Sequence, residues 1–192
     1  MQFWQGLGIP AVLSIPNVCN EVKNGDLVAV DGFKGNVIVS PSNDDIKEFE
    51  NKQEAYLKDK ESLKQYFGKP TVTKSGIKKL VYGNIGKAED VQSVIQNSGE
   101  GIGLFRTEFL FMDRQSEPSE EEQFEAYSTV AKAMDGKEVI IRTLDVGGDK
   151  DIPYLNIEKE ENPFLGHRAI RYCLDNKELF KKQLRALLRA SV

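Results

Sequence analysis

Two apolar runs in the second half of the chain each reach an arginine that is followed by a threonine. The first run is Gly101–Phe111 and contains Arg106, and the second is Val139–Asp145 and contains Arg142. Each run predicts a buried strand, and a permanent cation at the end of such a strand is costly unless an anion meets it. We therefore expect the two arginines, on two strands of one sheet, to share an anion.

The N-terminal part of the chain has a different, β-rich pattern. Apolar runs at 26–30 and 36–39 flank a turn with two glycines, which predicts a hairpin. Ser42 and Asp45 then resemble a helix N-cap pair. Apolar residues recur at roughly helical spacing among many charged ones after Ser42. This segment predicts a long, solvated connector helix that a Gly-Lys-Pro sequence at 68–70 ends.

Beyond residue 70, short apolar runs alternate with amphipathic segments. Buried strands are predicted at 80–85, 102–106 and 138–144, and helices at 88–97, 119–134, 168–173 and 177–189. Ser119 and Glu122 form a capping-box sequence before the second helix, and 146–162 is predicted to be a long loop. Strands that alternate with helices are typical of parallel βαβ units, so we expect an α/β fold.

Composition narrows the possible partners. The chain has 192 residues, 40% hydrophobic and 29% charged, with a net charge of −4. This charge argues against a non-specific nucleic-acid partner, and no apolar run is long enough to span a bilayer. Cys19 and Cys173 lie far apart and lack metal-ligand spacing. We expect them to be reduced, as in a cytoplasmic protein.

The candidate chemistry lies where the predicted strands end. In parallel α/β folds, ligands bind at the carboxyl ends of the strands, where Arg106 and Arg142 are placed. A glycine loop follows Asp145 and brings Lys150 as a further cation. Because a guanidinium binds phosphate or carboxylate through two parallel hydrogen bonds, this pattern indicates an anion site. Alternatively, Arg106 pairs with Glu108 or Asp145 in a structural ion network, and the spacing favours neither interpretation.

Four long motifs carry a resemblance to a known family. They are GLFRTEFLFMDR at 103–114, EEQFEAY at 121–127, RTLDVGGDK at 142–150 and EENPFLG at 160–166. Together they resemble Enzyme I of the bacterial phosphoenolpyruvate:sugar phosphotransferase system. The segments 7–12 and 24–31 are similar to the end of that family's swivelling phosphohistidine domain.

The resemblance implies an architecture. Residues 1–41 are expected to form the C-terminal part of the β-rich swivelling domain, and 42–70 the connector helix. Residues 71–192 are then the first three βα units of a (β/α)8 TIM barrel that binds phosphoenolpyruvate. Both ends of the chain are therefore expected to be interruptions of longer domains.

The resemblance also implies an activity. In the family, phosphoenolpyruvate binds with Mg²⁺ at the barrel mouth and phosphorylates a histidine, which passes the phosphoryl group to the carrier protein HPr. Family members form homodimers. Arg106 and Arg142 match the family's two arginines on the phosphate. Lys150 and Arg168 lie in motifs near the site and are further candidates. Alternatively, Arg168 is an ordinary residue at the start of a helix and binds no ligand.

The chain departs from the family where catalysis takes place. The phosphoacceptor motif Gly-Gly-x-x-Ser-His would fall ahead of Met1, and His167 is expected to be a packing residue, not a substitute. In the family the metal-binding carboxylates, a third phosphate arginine and the catalytic cysteine come from segments that would fall beyond Val192. Cys173 does not replace that cysteine. We therefore expect no catalytic residue, no metal ligand and no turnover in this chain alone.

Two other interpretations stay open. The chain could be a non-catalytic protein that binds an anion or a full-length partner. It could also come from a relative such as pyruvate phosphate dikinase or phosphoenolpyruvate synthase, whose barrels share the Arg-Thr-Glu motif. The genomic reading frame on either side of this segment would discriminate between a piece of Enzyme I and an independent protein.

Overall fold

The computed structural model describes residues 8–148 and 152–191. The chain divides into two compact units, Met1–Tyr66 and Phe67–Val192. Among the described residues, none of the helices combines the length and apolar character needed to cross a lipid bilayer. Assigning the first unit to a swivelling domain and the second to a barrel stays a prediction.

The first unit contains the predicted hairpin. A short helix, α1 (Val18–Glu21), precedes strands β1 (Val28–Asp31) and β2 (Asn36–Val39), which pair antiparallel. The Asp31 carboxylate closes the turn because it accepts hydrogen bonds from the backbone N–H groups of Phe33 and Lys34, each at 3.0 Å. The hairpin prediction is confirmed, whereas α1 was not predicted.

The predicted connector helix is α2 (Asn43–Ser62), followed by a 3-10 turn at Leu63–Tyr66. Its start is a full capping box: Ser42 N donates to Asp45 Oδ2 at 2.9 Å, and Asp45 N donates to Ser42 Oγ at 3.2 Å. Every residue of α2 is exposed or half-buried, as expected for a solvated helix. The regular helix ends before the Gly-Lys-Pro sequence, because the turn intervenes.

The second unit begins with a small antiparallel hairpin, β3 (Thr71–Val72) and β4 (Lys78–Lys79), which was not predicted. Three parallel strands follow, β5 (Tyr82–Ile85), β6 (Gly101–Arg106) and β7 (Val139–Arg142), in the order β5-β6-β7. This arrangement confirms the prediction of parallel βαβ units.

Helices connect and follow these strands. They are α3 (Val91–Gln96), α4 (Glu120–Ala133), α5 (Ile170–Asp175) and α6 (Lys177–Ala190). The described residues of this unit also form 3-10 turns at Ala88–Asp90, Thr107–Leu110 and Pro153–Leu155. The turn after β6 matters most for the site, because it sets the position of Glu108.

Two hydrophobic clusters hold this unit together. The first packs the sheet against the helices and contains Phe105, whose ring meets Tyr127 edge-on with centroids 5.9 Å apart. The second lies under the chain that follows β7 and contains Leu144 and Cys173. The end of β7 is therefore anchored in packed apolar side chains on either side.

A pH dependence follows from the start of α4. The Glu122 carboxylate accepts from Ser119 N–H and from Arg114, each at 2.7 Å. These bonds, led by the one from the Ser119 backbone, lower the pKa of Glu122 from 4.5 to about 2. Because the folded-state pKa is depressed, the stabilisation is present above about pH 4.5 and is lost as the pH falls toward 2.

Glu122→Gln is therefore expected to flatten the dependence of the free energy of unfolding on pH across that window. The change is smaller than the pKa shift alone implies, because the side chain is half exposed and solvent screens its partners. Urea unfolding at a series of pH values measures it. Equal slopes for the variant and the native sequence would refute this role of Glu122.

Candidate functional site

The two strand-end arginines are neighbours in the sheet. Arg106 is the last residue of β6 and Arg142 the last of β7, and they are partners in the parallel register. Adjacent strands lie about 4.8 Å apart, so both side chains start from one short stretch of the carboxyl edge. The structure thus places the two predicted residues side by side.

Arg142 is already paired with two carboxylates. Its Nη2 donates to Oε1 of Glu108, and its Nη1 lies 2.9 Å from Oδ2 of Asp145. The Glu108 side chain is only 3% exposed, whereas that of Arg142 is 33% exposed. The Arg142 guanidinium is therefore held from the protein side and keeps an exposed face toward solvent.

Glu108 reaches this position because the chain turns directly after β6. The 3-10 turn at Thr107–Leu110 begins directly after Arg106, where the predicted strand at 102–106 also ends. The Oε2 atom of Glu108 is buried and has no hydrogen-bond partner among the described residues. One oxygen of the Glu108 carboxylate thus accepts a hydrogen bond from Arg142, whereas the other oxygen accepts none from the described residues.

Arg106 is placed differently. Its guanidinium carbon lies 4.7 Å from the ring centroid of Phe109, and no carboxylate of the described residues pairs with it. Its Nε is buried and lacks a hydrogen-bond partner within the described part of the chain. Glu108 and Asp145, the carboxylates considered for Arg106, bind Arg142 instead. Arg106 therefore keeps a positive charge that no anion among the described residues neutralises.

Asp145 brings a third arginine to the same place. Arg168, just before α5, donates to Oδ1 of Asp145 from Nε at 3.0 Å and from Nη2 at 2.8 Å. Its guanidinium carbon is 5.0 Å from the ring centroid of Phe164. Asp145 thus bridges Arg142 and Arg168. The predicted candidate Lys150 lies outside the described residues.

The charges at the site favour an anion. Three guanidinium groups and two carboxylates leave one net positive charge among the described residues, and that charge sits on Arg106. Partial burial strengthens the attraction for an anion because the local dielectric constant is below that of water. The arrangement suits a small, multiply charged anion that reaches Arg106 and the exposed face of Arg142.

Buried polar residues that carry no charge support the strand ends from behind. Thr107 Oγ1 donates to the Arg142 carbonyl at 2.7 Å, and Gln183 Oε1 accepts from Leu144 N at 2.8 Å. Burial raises the pKa of Tyr127, which also belongs to this network, to about 12. Reasoning from charged residues missed Gln183. Its helical spacing from Leu179 and Ala186, which places it on the buried face of α6, could have indicated a buried polar residue.

Neither His167 nor Cys173 contacts Arg106 or Arg142 through a hydrogen bond or ion pair among the described residues. The His167 ring is near the surface, with Nε2 at 2.8 Å from Asp175 Oδ2 and its centroid 5.6 Å from that of Tyr172. Cys173 is buried and its Sγ lies 3.7 Å from the Leu144 carbonyl. Burial raises the pKa of Cys173 to about 11, so the thiol stays protonated and a poor nucleophile at neutral pH.

The described residues do not fit a Mg²⁺ site. Across 8–148 and 152–191, no three His, Cys, Asp or Glu side chains come together in a way that could hold a metal. Mg²⁺ prefers near-octahedral oxygen ligands, whereas Glu108 and Asp145 are turned toward arginines.

The chain is similar to known proteins over most of its length. The family model for the PEP-utilising enzyme, PEP-binding domain, matches residues 60–192. Phosphoenolpyruvate-protein phosphotransferase from Staphylococcus aureus is 51% identical over 188 residues, which is 98% of this chain. The proteins of that name from Staphylococcus carnosus and Bacillus subtilis are 52% and 51% identical over 98% and 97% of the chain. The chain spans about a third of the length of these relatives, 33% in each case.

Proposed function

The chain belongs to the PEP-utilising enzyme family, and we propose that its second unit carries part of a phosphoenolpyruvate-binding site. The observation that supports this most is that Arg106 and Arg142 lie side by side in the register of two neighbouring parallel strands, at one edge of the sheet. Phosphoenolpyruvate carries a phosphate and a carboxylate, and the phosphate is the group that a planar guanidinium fork binds best.

The two arginines have different roles in this proposal. Arg106, which has no protein carboxylate as a partner among the described residues, supplies the charge that draws the phosphate in. Arg142 is oriented in advance by Glu108 and Asp145, so little conformational freedom is lost when its exposed face meets the anion. Arg168, held by the same Asp145, and Lys150 are further ligands in the proposal.

The activity of the whole protein follows the names of the relatives. We propose that this chain is part of a phosphoenolpyruvate-protein phosphotransferase that passes the phosphoryl group to an enzyme histidine and on to HPr. During in-line transfer, Arg106 and Arg142 would stabilise the charge on the phosphoryl oxygens. The names of the relatives favour this reaction over those of pyruvate phosphate dikinase and phosphoenolpyruvate synthase.

The wider architecture belongs to the same proposal. Strands β5, β6 and β7 would be the first three strands of a TIM barrel, and the first unit the end of a swivelling phosphohistidine domain. Mg²⁺ would be held by groups other than the described carboxylates. A cytoplasmic location, homodimerisation and service to a sugar transport system are inferred from the family resemblance. The parallel order of the strands, with both arginines at the carboxyl edge, supports this architecture.

Binding and transfer can be tested separately on the chain itself. Phosphoenolpyruvate is expected to bind saturably, with a dissociation constant of roughly 0.1–1 mM, in the upper range of enzyme substrates. Titration followed by NMR measures it, with pyruvate as a control ligand that lacks the phosphate. Phosphoenolpyruvate labelled in its phosphate is expected to leave no label on the chain, because His167 does not lie in a sequence like the family's phosphoacceptor motif Gly-Gly-x-x-Ser-His.

Two results would count against this proposal. Equal binding of pyruvate and phosphoenolpyruvate would show that the phosphate does not contribute to the affinity. Stoichiometric label on the chain, absent in His167→Asn, would show that this histidine accepts the phosphoryl group. The first outcome would mean that the two arginines do not bind the phosphate. The second would mean that His167 takes part in the reaction.

A further inference from the structure

Four buried polar residues form a continuous hydrogen-bonded network behind the anion site. Gln123 and Tyr127 lie on α4, Gln183 on α6, and Thr107 directly after β6. All four have exposed fractions of 1% or less. None of them is charged at neutral pH, so they do not compete with the arginines for a ligand.

Gln183 is the centre of this network. Its Nε2 donates to the Tyr127 hydroxyl at 3.1 Å and to Thr107 Oγ1 at 3.2 Å, while its Oε1 accepts from Leu144 N at 2.8 Å. The Tyr127 hydroxyl donates onward to Gln123 Oε1 at 3.1 Å. The amide of Gln183 thus uses both of its donor hydrogens, and its oxygen accepts one bond.

Two of these bonds end on the backbone that carries Arg142. Thr107 Oγ1 donates to the Arg142 carbonyl at 2.7 Å, and Gln183 accepts from the amide of Leu144, two residues further on. The peptide groups on either side of Thr143 are therefore fixed by side chains from elsewhere in the unit. A buried amide or carbonyl that loses such a partner is penalised, so the strand end would shift to find another.

We propose that Gln183 is a positioning residue for Arg142, a role that rests on the phosphoenolpyruvate site proposed above. Glu108 and Asp145 orient the guanidinium group, and the Gln183 amide, directly and through Thr107, holds the backbone from which that side chain extends. Misplacement of a ligand-binding group by a fraction of an ångström is sufficient to weaken an oriented contact.

The test compares two substitutions of equal chemistry. Gln183→Leu and Gln123→Leu each remove one buried amide of nearly the same volume, and both are expected to lower the melting temperature. Among the described residues, the Gln123 side chain bonds to Tyr127 and to the Pro118 carbonyl, neither of which lies on β7. Only Gln183→Leu is expected to weaken phosphoenolpyruvate binding, by about tenfold.

A spectroscopic signal separates positioning from stability. The Nε of Arg142 is buried, so its N–H resonance is observable by NMR in the ligand-free chain and is identified by its loss in Arg142→Lys. Gln183→Leu is expected to shift this resonance, and Gln123→Leu is expected to leave it in place. An unshifted resonance in Gln183→Leu, or equal binding by the two variants, would overturn the proposal.

Thr107 provides the second route if Gln183→Leu does not fold. Thr107→Val removes the hydroxyl and keeps the shape, whereas Thr107→Ser keeps the hydroxyl that bonds to the Arg142 carbonyl. Only Thr107→Val is expected to shift the Arg142 resonance and weaken binding. If the native chain does not bind phosphoenolpyruvate, the proposed function fails, and the resonance alone then decides the role of Gln183.

Discussion

Replacement of Arg106 by alanine is expected to weaken phosphoenolpyruvate binding about 100-fold and to change the free energy of unfolding by less than about 1 kcal/mol. The loss of affinity is large because two charge-assisted hydrogen bonds to phosphate contribute about 1.5 kcal/mol each, and about 3 kcal/mol is a factor of about 100. The stability effect is small because Arg106 pairs with no described carboxylate and its guanidinium lies against the Phe109 ring.

The matched control for this prediction is Lys132→Ala. Lys132 is an exposed cation in the last turn of α4. The chain runs from this turn into the start of β7, so Lys132 lies toward the amino edge of the sheet, opposite the carboxyl edge that carries Arg106. Both variants change the net charge equally, but only Arg106→Ala should lose affinity. Arg106→Lys should recover part of it, since the charge remains and the planar fork is lost. Similar affinities for Arg106→Ala and Lys132→Ala would show that the net charge of the protein attracts the ligand and that Arg106 does not bind it specifically.

Replacement of Arg142 by methionine is expected to lower the free energy of unfolding by about 3 kcal/mol, because it leaves the buried Glu108 carboxylate unpaired. The Glu108 side chain is 3% exposed, and Oε1 loses its arginine partner while Oε2 already lacks one among the described residues. Asp145 suffers less because Arg168 still binds it. Urea unfolding at neutral pH gives the value.

A second substitution shows whether the unpaired charge is the cause. Adding Glu108→Gln to Arg142→Met removes the charge and is expected to restore most of the lost stability, in a double-mutant cycle. Arg114→Met is the surface control: it breaks an arginine–glutamate contact of 2.7 Å whose glutamate is 50% exposed. That variant should lose less than about 1 kcal/mol. No recovery in the double variant would mean that Arg142 stabilises the fold by packing.

The elements that follow local rules could be predicted from the sequence. The capping box of Ser119 and Glu122 formed as expected, because its hydrogen bonds join residues three apart. The parallel order of β5, β6 and β7 followed from the alternation of strands and helices. The exposed β3 and β4 hairpin was missed, since its two-residue strands have no buried face to produce a pattern.

The pairing inside the site could not be predicted. The sequence placed the arginines at the strand ends, but the 3-10 turn after β6 decides that Glu108 meets Arg142 and leaves Arg106 unpaired by carboxylates among the described residues. Gln183 lies 39 positions from its partner Leu144, and no local rule connects them. Its place on the apolar face of α6 indicated a buried polar residue without indicating what it binds.

The central claim is that Arg106 and Arg142, from neighbouring strands, hold one anion together. Its most direct test is a phosphoenolpyruvate titration of the chain labelled with ¹⁵N-arginine, in which both Nε–H resonances are followed after assignment with lysine variants. Both resonances are expected to move along the same saturation curve, with one dissociation constant. If only one of them responds, or if the two saturate at different concentrations, the arginines do not share the anion and the account is wrong.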